Sequence, residues 1–439
     1  MQKFLFTIAI ALTTIIANGQ TADDAFKLLE KRNLNKAKEM IDKLTADPNS
    51  KDAYAWLVKA QVYNAIAVDD AMKESVPDAY EQAFEAYKKS YDANPNLTQI
   101  KLDFYQTAYR AYDGVASRAS LAFQNSKYPL AFDTYKKLLG YGTYLNTKGL
   151  ANNGFPAKFD TAVIFYMGYI AMKLDKEDDA VTYFSKLANA KIGKEADYII
   201  PYQYLAYTYK EKKDAENFKK YYEIGRQLYP NSSYFPSLKI DWARDNKNYP
   251  ELFDAYEELI PLQPDSVKHH LIYANDMFEW AFVKNADKRP ENFDVLAAKI
   301  DQHLQISLKS GNDSLNALLL LTGLYYNQGY DLSTEIDKIK TSTKPDDVKK
   351  RKDMRAKAAV LYDKSMPYAQ LAVAIQERKG IATMKTSEKQ TIKNLYGWLG
   401  DMYRLKGDKA KDDGDAVNSK ALIAKADEFD KKWDAVSLK

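Results

Sequence analysis

Apolar and aromatic residues recur along this chain at helical spacing. Phe218, Tyr222, Gly225 and Pro230 are followed in one register by Leu252, Tyr256, Leu259 and Pro264, with the two prolines 34 residues apart. Residues separated by three, four or seven positions share one face of a helix, so each run predicts an amphipathic helix that stops at proline. A return at fixed distance marks a repeat. Ahead of the first run stands Tyr202, Leu205, Ala206, Tyr209, and ahead of that Ile164, Met167, Gly168, Ala171 with Ala180, Phe184, Leu187. Further helical runs follow at His270, Tyr273, Ala274, Met277, at Leu319, Gly323, Tyr326, and at Tyr396, Leu399, Gly400, Tyr403.

The N-terminal part is looser. Ala37, Ile41, Leu44, Pro48 and Trp56, Ala60, Tyr63 read as helices, as do Ala83, Tyr87, Ser90, Pro95 and the pair Tyr105, Ala108, Tyr112 with Ala131, Tyr135, Leu138. Between Tyr63 and Ala83 the spacing is stretched, which predicts an insertion over 64–78. Residues 140–156 hold four glycines and three asparagines, read as a loop separating an N-terminal group (20–139) from a central group (157–330). The polar, Lys-rich residues 331–352 read as a second loop, followed by a C-terminal part (353–439) that a helix near Leu422, Phe429, Trp433 and Val436 closes.

The spacing of large, small, aromatic and proline positions resembles the tetratricopeptide repeat, in which each unit is one helical hairpin. The resemblance implies an all-α fold, a right-handed superhelical solenoid of tetratricopeptide-like helical hairpins, with seven or eight hairpins here, several degenerate. Such solenoids usually present a surface and not a catalytic cavity. In the family's register the aromatic and small positions pack neighbouring hairpins, which accounts for Tyr63, Tyr87, Tyr135, Tyr202, Tyr209, Tyr222, Tyr256, Tyr396 and Tyr403 among the 34 tyrosines. Other first-helix positions face a concave groove. They carry Phe165, Tyr169 and Met172; Gln203, Tyr207 and Lys210; Ser237, Asp241 and Arg244; Leu271, Asn275 and Phe278; and, near the C-terminus, Asp401 and Arg404. The resemblance thus nominates Phe165, Tyr169, Gln203, Tyr207, Lys210, Asp241, Arg244 and Asn275 as groove residues for a peptide or a helix. Of the cationic and amide groups with which the family's peptide clamp holds a C-terminal carboxylate, only Lys210, Arg244 and Asn275 have counterparts.

Composition removes most other chemistry. There are no cysteines, hence no disulfide, thiolate metal site or cysteine nucleophile. A formal charge of +4 over 64 basic and 60 acidic residues, without a concentrated basic face, argues against nucleic acid. Of the three histidines, His269 and His270 are adjacent, so on a helix they point roughly 100° apart and cannot chelate one metal together. One is expected at the surface and one in packing, while His303 is expected at the polar edge of its helix. No phosphate-binding, metalloprotease or serine-hydrolase motif occurs. The expectation is therefore a protein that is not an enzyme and takes no cofactor.

At the N-terminus Lys3, an apolar run over 4–16, and small Ala17 and Gly19 form the pattern of a secretory signal cleaved near Gly19. Thirteen apolar residues fall short of the roughly 20 that span a bilayer. The implied location is the periplasm, or secretion, and the style of the chain resembles exported envelope proteins of the Bacteroidetes. The leading expectation is a protein-binding scaffold or adaptor of the bacterial periplasm or cell envelope, with a protein or peptide partner. An alternative is a helical protein that binds a glycan or another solute by aromatic stacking, similar to the starch-utilisation lipoproteins, and a glycan hydrolase comes third.

Overall fold

The computed structural model describes residues 21–152, 155–193, 195–309 and 314–438, so the expected signal over 1–19 lies outside the described residues. The fold is all-α and built of tetratricopeptide-type hairpins. The described residues form no strand, only an isolated bridge between Asn152 and Phe155. The chain divides into two compact units, up to Pro230 and from Asn231. That boundary falls inside the central group expected over 157–330.

Unit 1 begins with α1 (Ala22–Glu30) and α2 (Leu34–Leu44), then α3 (Ala53–Ile66) and α4 (Ala79–Ala93). A short α5 (Thr98–Leu102) precedes α6 (Gln106–Gln124) and α7 (Tyr128–Thr147). The pairs α8 (Thr161–Lys173) with α9 (Glu177–Asn189) and α10 (Ile199–Glu211) with α11 (Ala215–Leu228) complete it. Unit 2 holds α12 (Tyr234–Asp245) with α13 (Tyr249–Leu259), and α14 (Val267–Phe278), which runs on as a π-helical turn over Glu279–Lys284, with α15 (Phe293–Lys309). It ends in α16 (Ser314–Lys338) with α17 (Pro345–Lys379) and α18 (Thr386–Asp412) with α19 (Ala416–Ala435). Partners in each hairpin pack together, and within each unit second helices pack on the next hairpin's first helix. Nine hairpins are thus present among the described residues, more than the seven or eight read from the repeats.

Local chemistry makes the tight turns. In three of them a residue with positive φ ends the first helix and an Asn or Asp caps the second: Arg32–Asn33, Lys213–Asp214 and Lys247–Asn248. Each cap side chain accepts from a backbone N–H of the following turn, Asp214 from Asn217 at 3.0 Å, satisfying a donor that the helix itself cannot. Between α8 and α9 the helices approach so closely that a Cβ at Gly168 would lie 2.5 Å from the Phe184 ring. A small residue there and an aromatic opposite are one device. Of the nine tyrosines assigned to packing, eight are buried and Tyr209 is half-buried.

Two expected loops are in part helix. Gly140 and Gly142 lie inside α7, and the break shortens to the residues after Thr147. Leu138, Tyr141 and Leu145 are buried on one face, with the Tyr141 ring stacked 4.0 Å from that of Phe84. That burial outweighs the roughly 1 kcal/mol each glycine costs a helix. Likewise 331–338 belong to α16 and 345–352 to α17, leaving only 339–344 between them. Asp331 is held by Arg289 through two hydrogen bonds of 3.0 Å, Ile336 is buried, and Arg351 donates to the carbonyls of Ile339 and Ser342. A polar outer face with an anchored inner one suffices for a helix. The expected insertion over 64–78 contracts to 67–78, because α3 continues to Ile66.

Candidate functional site

The eight nominated groove residues fall into two groups. Phe165 and Tyr169 on α8 and Gln203, Tyr207 and Lys210 on α10 belong to unit 1; Asp241 and Arg244 on α12 and Asn275 on α14 belong to unit 2.

In unit 1, helical spacing carries Phe165 and Tyr169 onto one side of α8, with ring centroids 6.1 Å apart. Both are half-buried within a run of aromatic contacts. Tyr169 meets Phe123 of α6 edge-on at 5.9 Å, and Phe165 meets Tyr198 at 5.2 Å and Phe184 at 6.4 Å. The Lys173 ammonium lies 5.3 Å above the Tyr169 ring. One hairpin further on, Tyr207 is 50% exposed. Gln203 is half-buried, and Lys210 pairs with Glu211 at 2.9 Å with a side chain only 13% exposed.

In unit 2 the nominated cation is committed to the fold. The Arg244 guanidinium donates to the Tyr256 hydroxyl at 2.7 Å and to the Asp276 carboxylate at 2.9 Å, and Tyr256 donates to the same carboxylate oxygen at 3.0 Å. Burial opposes the Arg244 charge, but the bond to Asp276 and the nearby Tyr256 outweigh it and raise its pKa. Arg244 also lies 3.7 Å from Asp241. Lys210 and Arg244 are thus each paired within their own unit, and Asn275 is exposed. Leu271, a neighbouring inner-face position, is buried.

His303, expected at the polar edge of its helix, departs from that expectation. His303 is buried against α14, its Nδ1 2.6 Å from Nδ1 of His270, which is also buried. His270 Nε2 lies 2.9 Å from the Pro264 carbonyl, an acceptor only, so that nitrogen carries hydrogen. Between the two facing Nδ1 atoms there is room for one hydrogen. Burial, with His270 beside it, lowers the His303 pKa to about 4. The spacing rule that separated His269 from His270 said nothing about His303, which arrives from another helix. Among the described residues no group of three or more His, Asp or Glu side chains is placed to hold a metal, and no helix is long and apolar enough to cross a membrane.

No protein-family model and no curated protein matches this chain. Solved structures similar to it include yeast Tom70 (13% identity, TM-score 0.27, 82% of this chain and 61% of that one). A chain of Naa15/Naa10 bound to HypK-THB is similar at 13% identity and a TM-score of 0.26, over 94% of this chain and 58% of that one. The TPR domain of P58(IPK) is similar at 12% identity and a TM-score of 0.25, over 93% of this chain and 97% of that one. The chain spans about three fifths of the length of the first two. Likenesses this distant carry no argument about activity or partner.

Proposed function

We propose that this chain is a non-enzymatic protein-binding scaffold of the bacterial periplasm or cell envelope that holds a peptide segment or helix of its partner against the first helices of its hairpins. One observation carries the reading: Tyr207 is half exposed at the middle of a first helix, while the tyrosines at packing positions of the same hairpins are buried or half-buried. An exposed tyrosine offers a large, rigid, amphipathic contact at little entropic cost, which is why the residue is favoured at interfaces. Phe165 and Tyr169, half-buried on the preceding hairpin, would extend the apolar contact.

The test is recovery of binding proteins from an envelope extract by the full chain and by a variant with Tyr169→Ala and Tyr207→Ala. Loss of the bound proteins with an unchanged melting curve is expected; equal recovery by the variant overturns the reading. Saturable binding of a glycan without any protein would replace it by solute recognition. The location is tested separately by cell fractionation and N-terminal sequencing, which should find Gln20 as the first residue.

A further inference from the structure

The N-terminal hairpins of unit 1 enclose a cleft of about 640 Å³, with α3 on one side and α6 on the other. Asn64 of α3 donates from Nδ2 to the Thr107 carbonyl at 2.8 Å, which fixes its amide and leaves Oδ1 buried without a protein partner. Gln61, one turn earlier on the same face, likewise has a buried, unpartnered Oε1. Opposite, α6 lines the cleft with Asp113, whose carboxyl pKa is raised by burial. Asp103, just before α6, adds a second carboxylate, one of whose oxygens accepts from the Thr107 N–H at 2.7 Å. Among the described residues, Arg110 is the one cationic side chain lining the cleft. Gly114 lets the Tyr80 ring close in as a wall, since a Cβ there would lie 2.3 Å from it.

The balance of groups defines what would fit. Among the described residues, two carboxylates and two amides with unpartnered oxygens line the cleft against a single guanidinium, so the lining is rich in acceptors and carries net negative charge. Buried acceptors are costly unless a donor reaches them, and an ionised donor makes the stronger bond. An anion would meet Asp103 and Asp113. A bare metal ion needs several oxygens within about 2.6 Å of one point, and among the described residues no group of three or more His, Asp or Glu side chains is so placed. We propose that this cleft binds an alkylammonium or guanidinium group, the chemistry that ends a lysine or arginine side chain or a free diamine. The inference rests on this cleft alone and not on Tyr169 or Tyr207.

The experiment is calorimetric titration of the full chain with four probes: lysine and arginine capped at both ends as amides, capped norleucine, and cadaverine. The cationic probes should bind saturably and norleucine should not. Asp113→Asn, which keeps the shape, and Asn64→Leu, which removes the acceptor, should each weaken binding at least about 10-fold. Asp113 is exposed enough for its variant to fold even if Asn64→Leu does not. Tighter binding of the capped amino acids than of cadaverine assigns the site to a protein side chain, and the reverse assigns it to a free amine. Absence of saturable binding by any cationic probe at millimolar concentration, equal binding of norleucine, calcium binding in their place, or unchanged affinity in Asp113→Asn overturns the proposal.

Discussion

Helices α8 and α9 close on one another through Gly168 and Phe184, whereas α14 and α15 close through His270 and His303. The first seam is apolar: Phe184 is fully buried and fills the space that the missing Cβ leaves. Its stability should be indifferent to pH. The second seam buries two imidazoles beside the Tyr273 ring, 4.9 Å from that of His303, with Glu257 and Lys299 as the nearby charges. It has a directional bond with room for one hydrogen, so protonation acts on it. The same helical hairpin is thus held by close packing in one place and by a protonation state in another.

Breaking the apolar seam should have the largest effect. Phe184→Ala is expected to cost about 3–5 kcal/mol, measured as a shift in the urea midpoint at constant slope, because the ring lost was fully buried. Gly168→Leu should cost less, about 1–3 kcal/mol, by overpacking against the same ring.

The imidazole seam should respond to acid. His303 titrates near 6.5 when unfolded and at about 4 when folded, so the unfolded chain binds the extra proton between those values. Stability from this group is therefore complete above about pH 6.5, falls as pH drops toward 4, and changes no further below it. The loss over that window is about 3 kcal/mol. Subtracting the urea stability curve of His303→Leu from that of the unaltered chain should isolate it; parallel curves between pH 7 and 4.5 would show the pair to be of no consequence.

Smaller effects sharpen the contrast between buried and surface chemistry. Asp276→Asn should cost about 1–3 kcal/mol, because its buried carboxylate accepts from both Arg244 and Tyr256. Tyr207→Ala, by contrast, should change stability by less than about 0.5 kcal/mol, since the ring is half exposed. Its effect is expected in partner recovery alone, and a large drop in melting temperature would reassign Tyr207 to packing.

Much of this was legible in the chain. The runs ending at Pro230 and Pro264 predicted second helices at α11 and α13, and Gly168, Ala180 and Phe184 stood at small and aromatic positions of the repeat, although their meeting at one seam was not read. Where helices were misread, at 140–147, 331–338 and 345–352, glycine, polar and lysine content spoke against helix while the anchoring of one face, invisible in composition, decided for it. Among the groove residues, Tyr207 is half exposed where Tyr202 is buried and Tyr209 half-buried, but the register could not see that Arg244 is held by Asp276. The cleft between α3 and α6 had no signature at all, because Gln61, Asn64 and Asp113 are ordinary polar residues on helices separated by an insertion.

Sequence by itself determined most of the helices and their pairing into hairpins, because periodicity and small positions act over a few residues and one hairpin. The tertiary structure alone decided which polar groups were left buried together: the two histidines, Arg244 with Asp276, and the acceptors around Asn64. Those encounters depend on how one helix is rotated against another, and a rotation of a few tens of degrees moves a side chain from water into a seam without changing any local pattern.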